Sequence, residues 1–334
     1  MVDPNTDTMQ YISSPTIIGG SDLITGKLNL VEKILLNELP GQSDLLSDAA
    51  VRLLQSGGKR IRATMSLLSA SVFDENLENS LSLAAGVEML HTATLVHDDI
   101  IDDSLQRRGR PTLNASLDAK LSVLIGDYFF ARAANLVAET DNLDIMKQFS
   151  ETLMIILSGE VNQQLSRWQV DRRSYFDRIY AKTGAMFVLA AKSAATLANA
   201  GNKSVRAMEK YGRYTGIAFQ IVDDVLDFTG RPDRLGKPVG SDLREGIFTL
   251  PVLLYAEQYP HDKLINSIRE SQDGDHPSID SLITAIRNSG VTDQALAEAS
   301  DFISRAQQAL ADLPYSPYVD ALSMLGDSVV RRFA

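Results

Sequence analysis

The sequence predicts an all-α protein, a single large helical bundle around a deep central cavity, on the basis of three observations. Apolar residues recur at spacings of three and four along most of the chain, which is the periodicity of amphipathic helices. Alternating strand patterns joined by Asn-Gly or Asp-Gly turns are absent. Several helical segments are too apolar for a surface position, and a thick bundle with a buried central layer accommodates them.

Four segments show the helical pattern most clearly: residues 27–39, 80–103, 176–200 and 208–228. Residues 1–26 are polar, with Pro, Ser, Thr and Gly scattered through them, and are expected to form a loose N-terminal arm. Two loops are expected, at Gly230–Asp242 and Ser271–Ser278. Because no shift in composition marks a linker, residues 27–334 are interpreted as one domain.

Composition excludes several classes of function. The 334 residues include no cysteine, which rules out disulfides, thiolate zinc sites and a cysteine nucleophile. The formal net charge of -11 repels nucleic acid, so anion binding requires local basic clusters. The N-terminus lacks the pattern of a signal peptide, and no apolar run reaches the roughly 18 residues of a membrane span. We therefore expect a cytoplasmic protein with no transmembrane segment and no nucleic-acid partner.

Two acidic pentads are the strongest functional signal. Each has the pattern Asp-Asp-x-x-Asp, with Asp98, Asp99 and Asp102 in the first and Asp223, Asp224 and Asp227 in the second. Residues four apart lie on one face of a helix, so the outer carboxylates of each pentad converge and repel. A solvated helix end could carry one such pentad by chance, but two pentads beside apolar runs indicate a bound cation. Oxygen ligands without His or Cys favour Mg²⁺.

Two basic clusters near the pentads are suited to oxyanions. Gly57–Arg62 places three cations behind a glycine pair, and Arg107–Thr112 follows the first pentad within one loop. Alone, either cluster would be typical of a solvated surface. In so acidic a chain, their positions favour phosphate binding, for which Arg is the fork-shaped ligand and Lys the point charge. His91 lies two turns before Asp98 on the same helix face, where a satisfied core histidine is the equal alternative.

Polar residues also interrupt two of the apolar helices. Lys182 and Thr183 precede Gly184 within the segment 176–200, where a Thr-Gly pair can bend the backbone and a buried lysine needs a partner. Gln220 lies three residues before Asp223, on the same side of that helix, so its amide is expected to face the cavity.

The ordered set of motifs from Gly57 to Leu254 resembles the trans-isoprenyl diphosphate synthases (polyprenyl synthetases), particularly the long-chain members. The motifs are GGKRIR, HTATLVHDDIIDDSLQRRGRPT, GDYFFARA, GEVNQQ, AKTGAMF, GIAFQIVDDVLDFTG and GKPVGSDLREG. The resemblance implies the isoprenoid synthase type of fold, usually as a homodimer. It also implies three Mg²⁺ ions per active site and elongation of an allylic diphosphate by isopentenyl diphosphate.

The same resemblance implies a role for individual residues. The magnesium ligands would be Asp98, Asp102 and Asp223, supported by Asp99, Asp224 and Asp227. The isopentenyl diphosphate pocket would comprise Lys59, Arg62, His91 and Arg108. The groups facing the allylic diphosphate would be Arg107, Lys182 and Lys237, and those flanking the reacting carbons would be Thr183 and Gln220. The allylic carbon–oxygen bond would ionise, the second substrate would attack, and the released diphosphate would take the proton, so no protein base is expected.

Product length is predicted from the helix before the first pentad. In the family, the position five before the first aspartate controls chain growth, and here that position is Ala93, followed by Thr94. Small residues at Ala84, Ala85 and Gly86 would leave a channel along the helix, although they would equally permit close packing. We expect a product longer than twenty carbons, with Phe129, Phe130 or Met154 as candidates for the channel floor.

Two departures from the family pattern and four alternatives accompany this interpretation. Ala63 replaces the usual proline of the first basic motif, and Ile247 replaces a frequent phosphate-binding lysine. We interpret Ile247 as the mark of a subgroup. The alternatives are a geranylgeranyl diphosphate synthase, a farnesyl diphosphate synthase, a terpene cyclase and a non-catalytic regulatory subunit. Cyclases usually replace the second pentad, and regulatory subunits typically lose one. Release of a lipid product also suggests transient membrane contact.

Overall fold

The structure is a computed structural model that describes residues 21–37, 51, 53, 59–107, 109–230, 238–271 and 278–331. Within these ranges the α-helices are α1 (Thr25–Asn37), α2 (Ile61–Ser71), α3 (Ser80–Ile101), α4 (Leu113–Ser116), α5 (Ala119–Ala138), α6 (Leu143–Leu165), α7 (Arg172–Ile179), α8 (Ala185–Leu197), α9 (Asn202–Thr229), α10 (Ser241–Arg244), α11 (Leu250–Gln258), α12 (Lys263–Ser271), α13 (Ser278–Asn288), α14 (Val291–Leu310) and α15 (Pro317–Val330). The all-α prediction is confirmed.

A short β-ladder is the exception to helical structure in the described part of the chain. β1 (Gln106–Arg107) pairs antiparallel with β2 (Arg110–Pro111) directly after the first pentad. Gly109 has a φ of 74°, a left-handed conformation that glycine adopts without strain, and this allows the tight reversal. Two residues per strand are too few to show an alternating pattern, so the sequence does not reveal the ladder.

Polar side chains fix where several helices begin. The side chain of Asp118 accepts a hydrogen bond from the backbone N–H of Leu121 at the start of α5. Asn142 and Asp171 accept from the first-turn N–H groups of α6 and α7 in the same way. Each cap satisfies N–H groups that have no partner within the helix. The helices that carry the site therefore start at defined residues.

The N-terminal boundary differs from the prediction. A 3₁₀ turn at Ser21–Ile24 leads directly into α1, so the ordered helical part begins before residue 27. Ile24 is buried together with Leu28, and this burial offsets the entropy of ordering residues 21–26. The expected arm is thus too long at its C-terminal end. Residues 1–20, Leu39 and most of the two predicted loops lie outside the described residues.

The buried apolar side chains form two clusters that meet along α9. One cluster is built mainly from α1, α2, α3, α5, α6 and α8, and the other mainly from α7, α9, α11, α13 and α14. The N-terminal half of α9 contributes Tyr211 to the first cluster, and its C-terminal half contributes Phe228 to the second. Phe219 packs against both. The second pentad is therefore carried by the helix that joins the two halves of the core.

The predicted bend in the segment 176–200 is a π-helical turn at Tyr180–Gly184, between α7 and α8. A Cβ added to Gly216 on α9 would lie 2.8 Å from the Cα of Gly184, so this turn and α9 approach backbone to backbone. No side chain larger than hydrogen fits at Gly216 without a shift. Such π-helical turns are often found at functional sites, because they re-aim the side chains of one turn.

Helix α5 is long and apolar enough to cross a membrane, and it is the one described helix with this property by length and composition. The sequence analysis expected no membrane span. One side of α5 packs along α3, and 39% of its most apolar window is buried inside the bundle. A core helix passes the same test, so the apolar character of α5 does not by itself indicate membrane insertion.

Candidate active site

Lys182 lies between the two pentads. Its side chain projects from the π-helical turn, and its Nζ is 3.9 Å from Oε2 of Glu160 on α6. Burial lowers the pKa of Lys182, but nearby carboxylates, led by Asp98, outweigh burial and raise it above its usual value. The ammonium is therefore held protonated. A fixed cation among acidic groups is suited to bind an anion that arrives with its own metal ions.

The first pentad forms the C-terminal turn of α3. The backbone N–H of Asp102 donates to the carbonyl oxygen of Asp98 at 2.9 Å, so the two side chains lie one turn apart as predicted. Burial raises the pKa of Asp98 to about 6, Glu160 and Asp102 raise it further, and Lys182 opposes them. The carboxylate of Asp98 is thus only partly compensated by the protein, which suits a ligand for an added cation.

Asp99 points into different surroundings. It is buried, and its Oδ1 accepts a hydrogen bond from Nε of Arg107 at 2.9 Å. This ion pair ties β1 to the end of α3. The role predicted for Arg107, facing the allylic diphosphate, stays a prediction, since in the structure its Nε contacts a carboxylate of the first pentad.

In the second pentad, both oxygens of Asp224 are engaged by protein groups. Tyr175 donates its hydroxyl to Oδ2 at 2.7 Å, and Gln220 donates its amide to Oδ1 at 2.9 Å. Burial, assisted by the charge of Asp242, raises the pKa of Asp224 to about 8. The oxygen of the Gln220 amide accepts from the hydroxyl of Thr183 at 2.5 Å, which brings two predicted site residues together.

Asp227 anchors the segment that follows α9. Its two carboxylate oxygens accept from the backbone N–H groups of Ser241, at 3.1 Å, and Asp242, at 3.3 Å. Burial and the charge of Asp242 raise the pKa of Asp227 to about 7. Asp223 is half-buried on the same helix. The three aspartates of this pentad therefore have three different environments.

Five residues join the site that sequence reasoning did not select: Glu160, Gln163, Tyr175, Arg178 and Asp242. The motif GEVNQQ marked α6 as relevant but did not single out Glu160 or Gln163. Asp242 lies in a segment recognised only as a loop. No spacing rule places it beside a pentad that is fifteen residues earlier, so only the folded structure shows this proximity.

Two adjoining cavities open at these residues. The smaller, of about 90 Å³, is lined by Gln163, Arg178, Ile179, Lys182, Gln220, Asp224, Asp242, Ile247 and Thr249. The larger, of about 840 Å³, lies between α6 and α7 and shares Gln163 and Arg178 with the smaller. Ile247, which replaces the family's frequent lysine, thus faces the same cavity as Lys182 and Arg178.

The predicted isopentenyl diphosphate residues lie near the start of α2 and on α3. Lys59 is exposed immediately before α2, and His91 is half-buried on α3. Arg62 is buried, with its guanidinium 5.1 Å from the ring centre of Phe187. Arg108 and Lys237 lie outside the described residues. These assignments stay predictions.

Two neighbouring residues of the same motif have structural partners. Nε of Arg60 donates to Glu32 at 2.5 Å, and Glu88 lies 3.9 Å from Arg60, so this arginine joins α1 and α3. The backbone N–H of Ala63 donates to Oε1 of Glu88 at 3.0 Å. A proline at position 63, which the family usually has, would lack that hydrogen.

The residues predicted to control product length are in the core. Ala93 is fully buried, and the hydroxyl of Thr94 donates to the carbonyl oxygen of His91 at 2.8 Å. Of the predicted floor residues, Phe129 is buried, Phe130 packs against His97, and Met154 lines the larger cavity. Ala93 and Thr94 do not line either of the two cavities, so the path of the product chain stays a prediction.

The chemistry of the carboxylates fits magnesium. All are hard oxygen donors, and the raised pKa values of Asp98, Asp224 and Asp227 reflect negative charge that folding leaves uncompensated. Among the described residues, no three or more acidic or histidine side chains are close enough to hold a metal on their own. The pentads therefore fit a metal that takes further oxygen ligands from a phosphorylated substrate.

Comparisons with known proteins agree with this geometry. The family model described as polyprenyl synthetase matches residues 43–286. An all-trans-nonaprenyl-diphosphate synthase (geranyl-diphosphate specific) of Rhodobacter capsulatus is 41% identical over 83% of this chain and 86% of its own. Heptaprenyl diphosphate synthase component 2 of Bacillus subtilis (strain 168) is 31% identical over 99% and 95%.

A solved structure gives the same result at the level of the fold. The crystal structure of heptaprenyl diphosphate synthase from Staphylococcus aureus superposes with a TM-score of 0.88 and 31% identity, covering 92% of this chain and 98% of that one. The helical bundle, the two pentads on α3 and α9 and the match over most of the chain lead to one conclusion: this protein belongs to the polyprenyl synthetase family.

Proposed function

We propose that the chain is a Mg²⁺-dependent all-trans polyprenyl diphosphate synthase, which condenses isopentenyl diphosphate onto an allylic diphosphate. The observation that carries the proposal is the protonated Lys182 held between the two aspartate pentads. A diphosphate bound there would meet a lysine cation on one side and metal-binding carboxylates on both others. Membership of a family whose listed relatives are named prenyl diphosphate synthases supports the same reaction.

The residues of the chain would divide the reaction between them. Asp98, Asp102 and Asp223 would hold three Mg²⁺ ions, which when bound supply Lewis-acid stabilisation of the leaving diphosphate. Lys182 would neutralise charge as the allylic carbon–oxygen bond ionises. Thr183 and Gln220, joined by a 2.5 Å hydrogen bond, would flank the reacting carbons.

The second substrate would be held by the cluster predicted for it: Lys59, Arg62, His91 and Arg108. Holding both reactants converts a bimolecular encounter into a positioned reaction. The proton lost after condensation would pass to the released diphosphate, and no protein base is required. Arg107 and Lys237 would complete the allylic site.

A product longer than twenty carbons is part of this proposal. It is supported by the names of the relatives, which are hepta- and nonaprenyl synthases, and by the small side chain at position 93. A geranylgeranyl or farnesyl diphosphate synthase is the alternative in product length. A cyclase or a regulatory subunit is disfavoured because both pentads and the basic motif containing Arg62 are present.

We also propose that the chain forms a homodimer through α5 and α6. Eight of the fifteen large apolar side chains exposed in the described part of the chain lie on these two helices: Leu121, Val123, Leu124, Leu143, Met154, Leu157, Val161 and Leu165. The two helices pack side by side, so these residues share one surface. A surface of this kind is typical of an interface. A cytoplasmic location, with transient membrane contact for product release, fits such an assembly.

The metal requirement gives the first prediction. Asp98→Ala or Asp223→Ala should lower kcat by about 100-fold or more, because each removes a ligand that stabilises charge developing only in the transition state. Folding should survive, since burial already disfavours the charge of Asp98. The measurement is prenyl transfer at saturating Mg²⁺, with loss of wild-type activity on adding a chelator. Asp312→Ala, at an exposed ion pair with Lys203, is the control. Near-normal rates in either pentad variant would refute the metal assignment.

The second prediction concerns Ile247. If Lys182, Lys237 and the neighbouring Arg178 compensate for the missing lysine, Ile247→Lys should change the allylic KM only modestly, by less than about fivefold, since one added charge in a solvated site contributes about 1 kcal/mol. The measurement is a steady-state titration with an allylic primer. A rise from undetectable to robust activity would instead mean that the natural chain is not a competent synthase.

The third prediction concerns product length. Ala93→Phe adds a ring beside the predicted channel, in a core that cannot absorb the volume without strain. Products should shorten to roughly fifteen to twenty carbons, the length that clears one or two helical turns. The rate of the first condensation should stay near the wild-type value. Dephosphorylated products are sized by chromatography, and Ala93→Gly, which adds no volume, should keep the wild-type length. An unchanged length in Ala93→Phe would show that the product does not pass this residue.

The fourth prediction concerns assembly. Light scattering should give a mass twice the 36.5 kDa of one chain. Leu124→Glu should shift the protein to the monomer, because a dimer would bury the introduced charge and its symmetry copy. Met324→Glu, at a similarly exposed position on α15, should leave the mass unchanged. A monomeric wild type, or equal effects of both variants, would contradict an interface on α5 and α6.

A further inference from the structure

Four side chains form one continuous hydrogen-bonded chain beneath the site. They are Tyr175 from α7, Asp224 and Gln220 from α9, and Thr183 from the π-helical turn. Tyr175 to Asp224 measures 2.7 Å, Gln220 to Asp224 measures 2.9 Å, and Thr183 to Gln220 measures 2.5 Å. Three of these residues belong to the predicted site. Tyr175 does not, and it stands at the buried end of the chain.

The chain has a direction that its buried end sets. An ionised carboxylate accepts hydrogen bonds and donates none, so Asp224 requires a donor at each oxygen. The Tyr175 hydroxyl serves Oδ2, and the Gln220 NH₂ group serves Oδ1. With its NH₂ group committed, Gln220 can present only its carbonyl oxygen to Thr183. The orientation of two residues at the reaction centre thus depends on how Asp224 is held.

The surroundings of Tyr175 leave no substitute for its hydroxyl. The residue is 1% exposed, and its ring packs edge-on against Phe176 at 5.2 Å between centres. The guanidinium of Arg178 lies 5.5 Å from the ring centre on another side. Deleting the hydroxyl would leave Oδ2 of Asp224 buried without that donor, a loss that costs more than the bond itself contributes.

We propose that Tyr175 is a positioning residue: acting through Asp224, it fixes the direction of the Gln220 amide and so presents Thr183 and Gln220 to the substrate in one orientation. Asp224 is then an orienting group, with both oxygens satisfied by the protein, and Asp223 is the metal ligand of this pentad. The inference rests on the proposed prenyl transfer, and wild-type activity is measured first to test that function separately.

The experiment compares two buried tyrosines that each donate one 2.7 Å hydrogen bond. Tyr175 donates to Asp224, whereas Tyr211 donates to the carbonyl oxygen of Leu322 in the first core cluster. Tyr175→Phe should lower kcat for a single condensation about tenfold to hundredfold, the range expected for losing a hydrogen bond to a charged group, with KM for both substrates near the wild-type value. Tyr211→Phe should lower Tm and leave kcat unchanged. Equal kcat in Tyr175→Phe and wild type overturns the inference.

A double-mutant cycle tests whether Tyr175 acts through Asp224. In the Asp224→Asn background, Tyr175→Phe should cost little further kcat, because the group it positions is already altered. Losses that multiply as if independent would overturn the proposed route.

Magnesium dependence supplies a test that does not require Tyr175→Phe to fold. Asp224→Asn should lower kcat while the Mg²⁺ concentration for half-maximal rate stays close to the wild-type value. Asp223→Asn should raise that concentration by at least about tenfold, as expected on losing a metal ligand. If Asp224→Asn raises it to the same extent as Asp223→Asn, Asp224 is itself a ligand and the inference fails.

Discussion

The site depends on the burial of like charges around one lysine. Asp98, Asp224 and Asp227 each have a raised pKa, because folding removes them from water and brings other carboxylates close. Lys182 offsets only part of this charge. The uncompensated remainder is a standing electrostatic demand for cations. A scaffold that bears this cost in its resting state gains a site in which a metal-bound anion is stabilised as soon as it enters.

The scaffold meets that cost by distributing the carboxylates among different partners. Asp99 is tied to the arginine of a β-ladder, Asp224 to a buried tyrosine and a glutamine, and Asp227 to two backbone N–H groups. Each arrangement satisfies an oxygen that would otherwise be buried without a donor. Identical residues in one repeated motif thus acquire unlike roles, and the roles follow from the elements that pack against α3 and α9.

The sequence predicted the helical class, the two pentads, the break in the helix at Lys182 and the pairing region of Thr183 and Gln220, because periodicity and local spacing encode all of these. It did not predict Tyr175, Arg178 or Asp242 as site residues, since their proximity arises from packing between distant segments. The N-terminal boundary was misplaced because one apolar residue, Ile24, outweighs its polar neighbours when it is buried. Long-range packing, which no short pattern encodes, accounts for each of these differences.

The π-helical turn at Tyr180–Gly184 has a consequence for how this chain can change in evolution. Such a turn is an α-helix with one extra residue accommodated locally. Deleting a residue from it would restore a regular helix and rotate everything that follows by about 100°. Helix α8 is buried on nearly all sides, so that rotation would turn every core side chain into the wrong neighbour. The irregularity therefore acts as a register lock: the chain tolerates substitutions around Lys182 far better than changes in length.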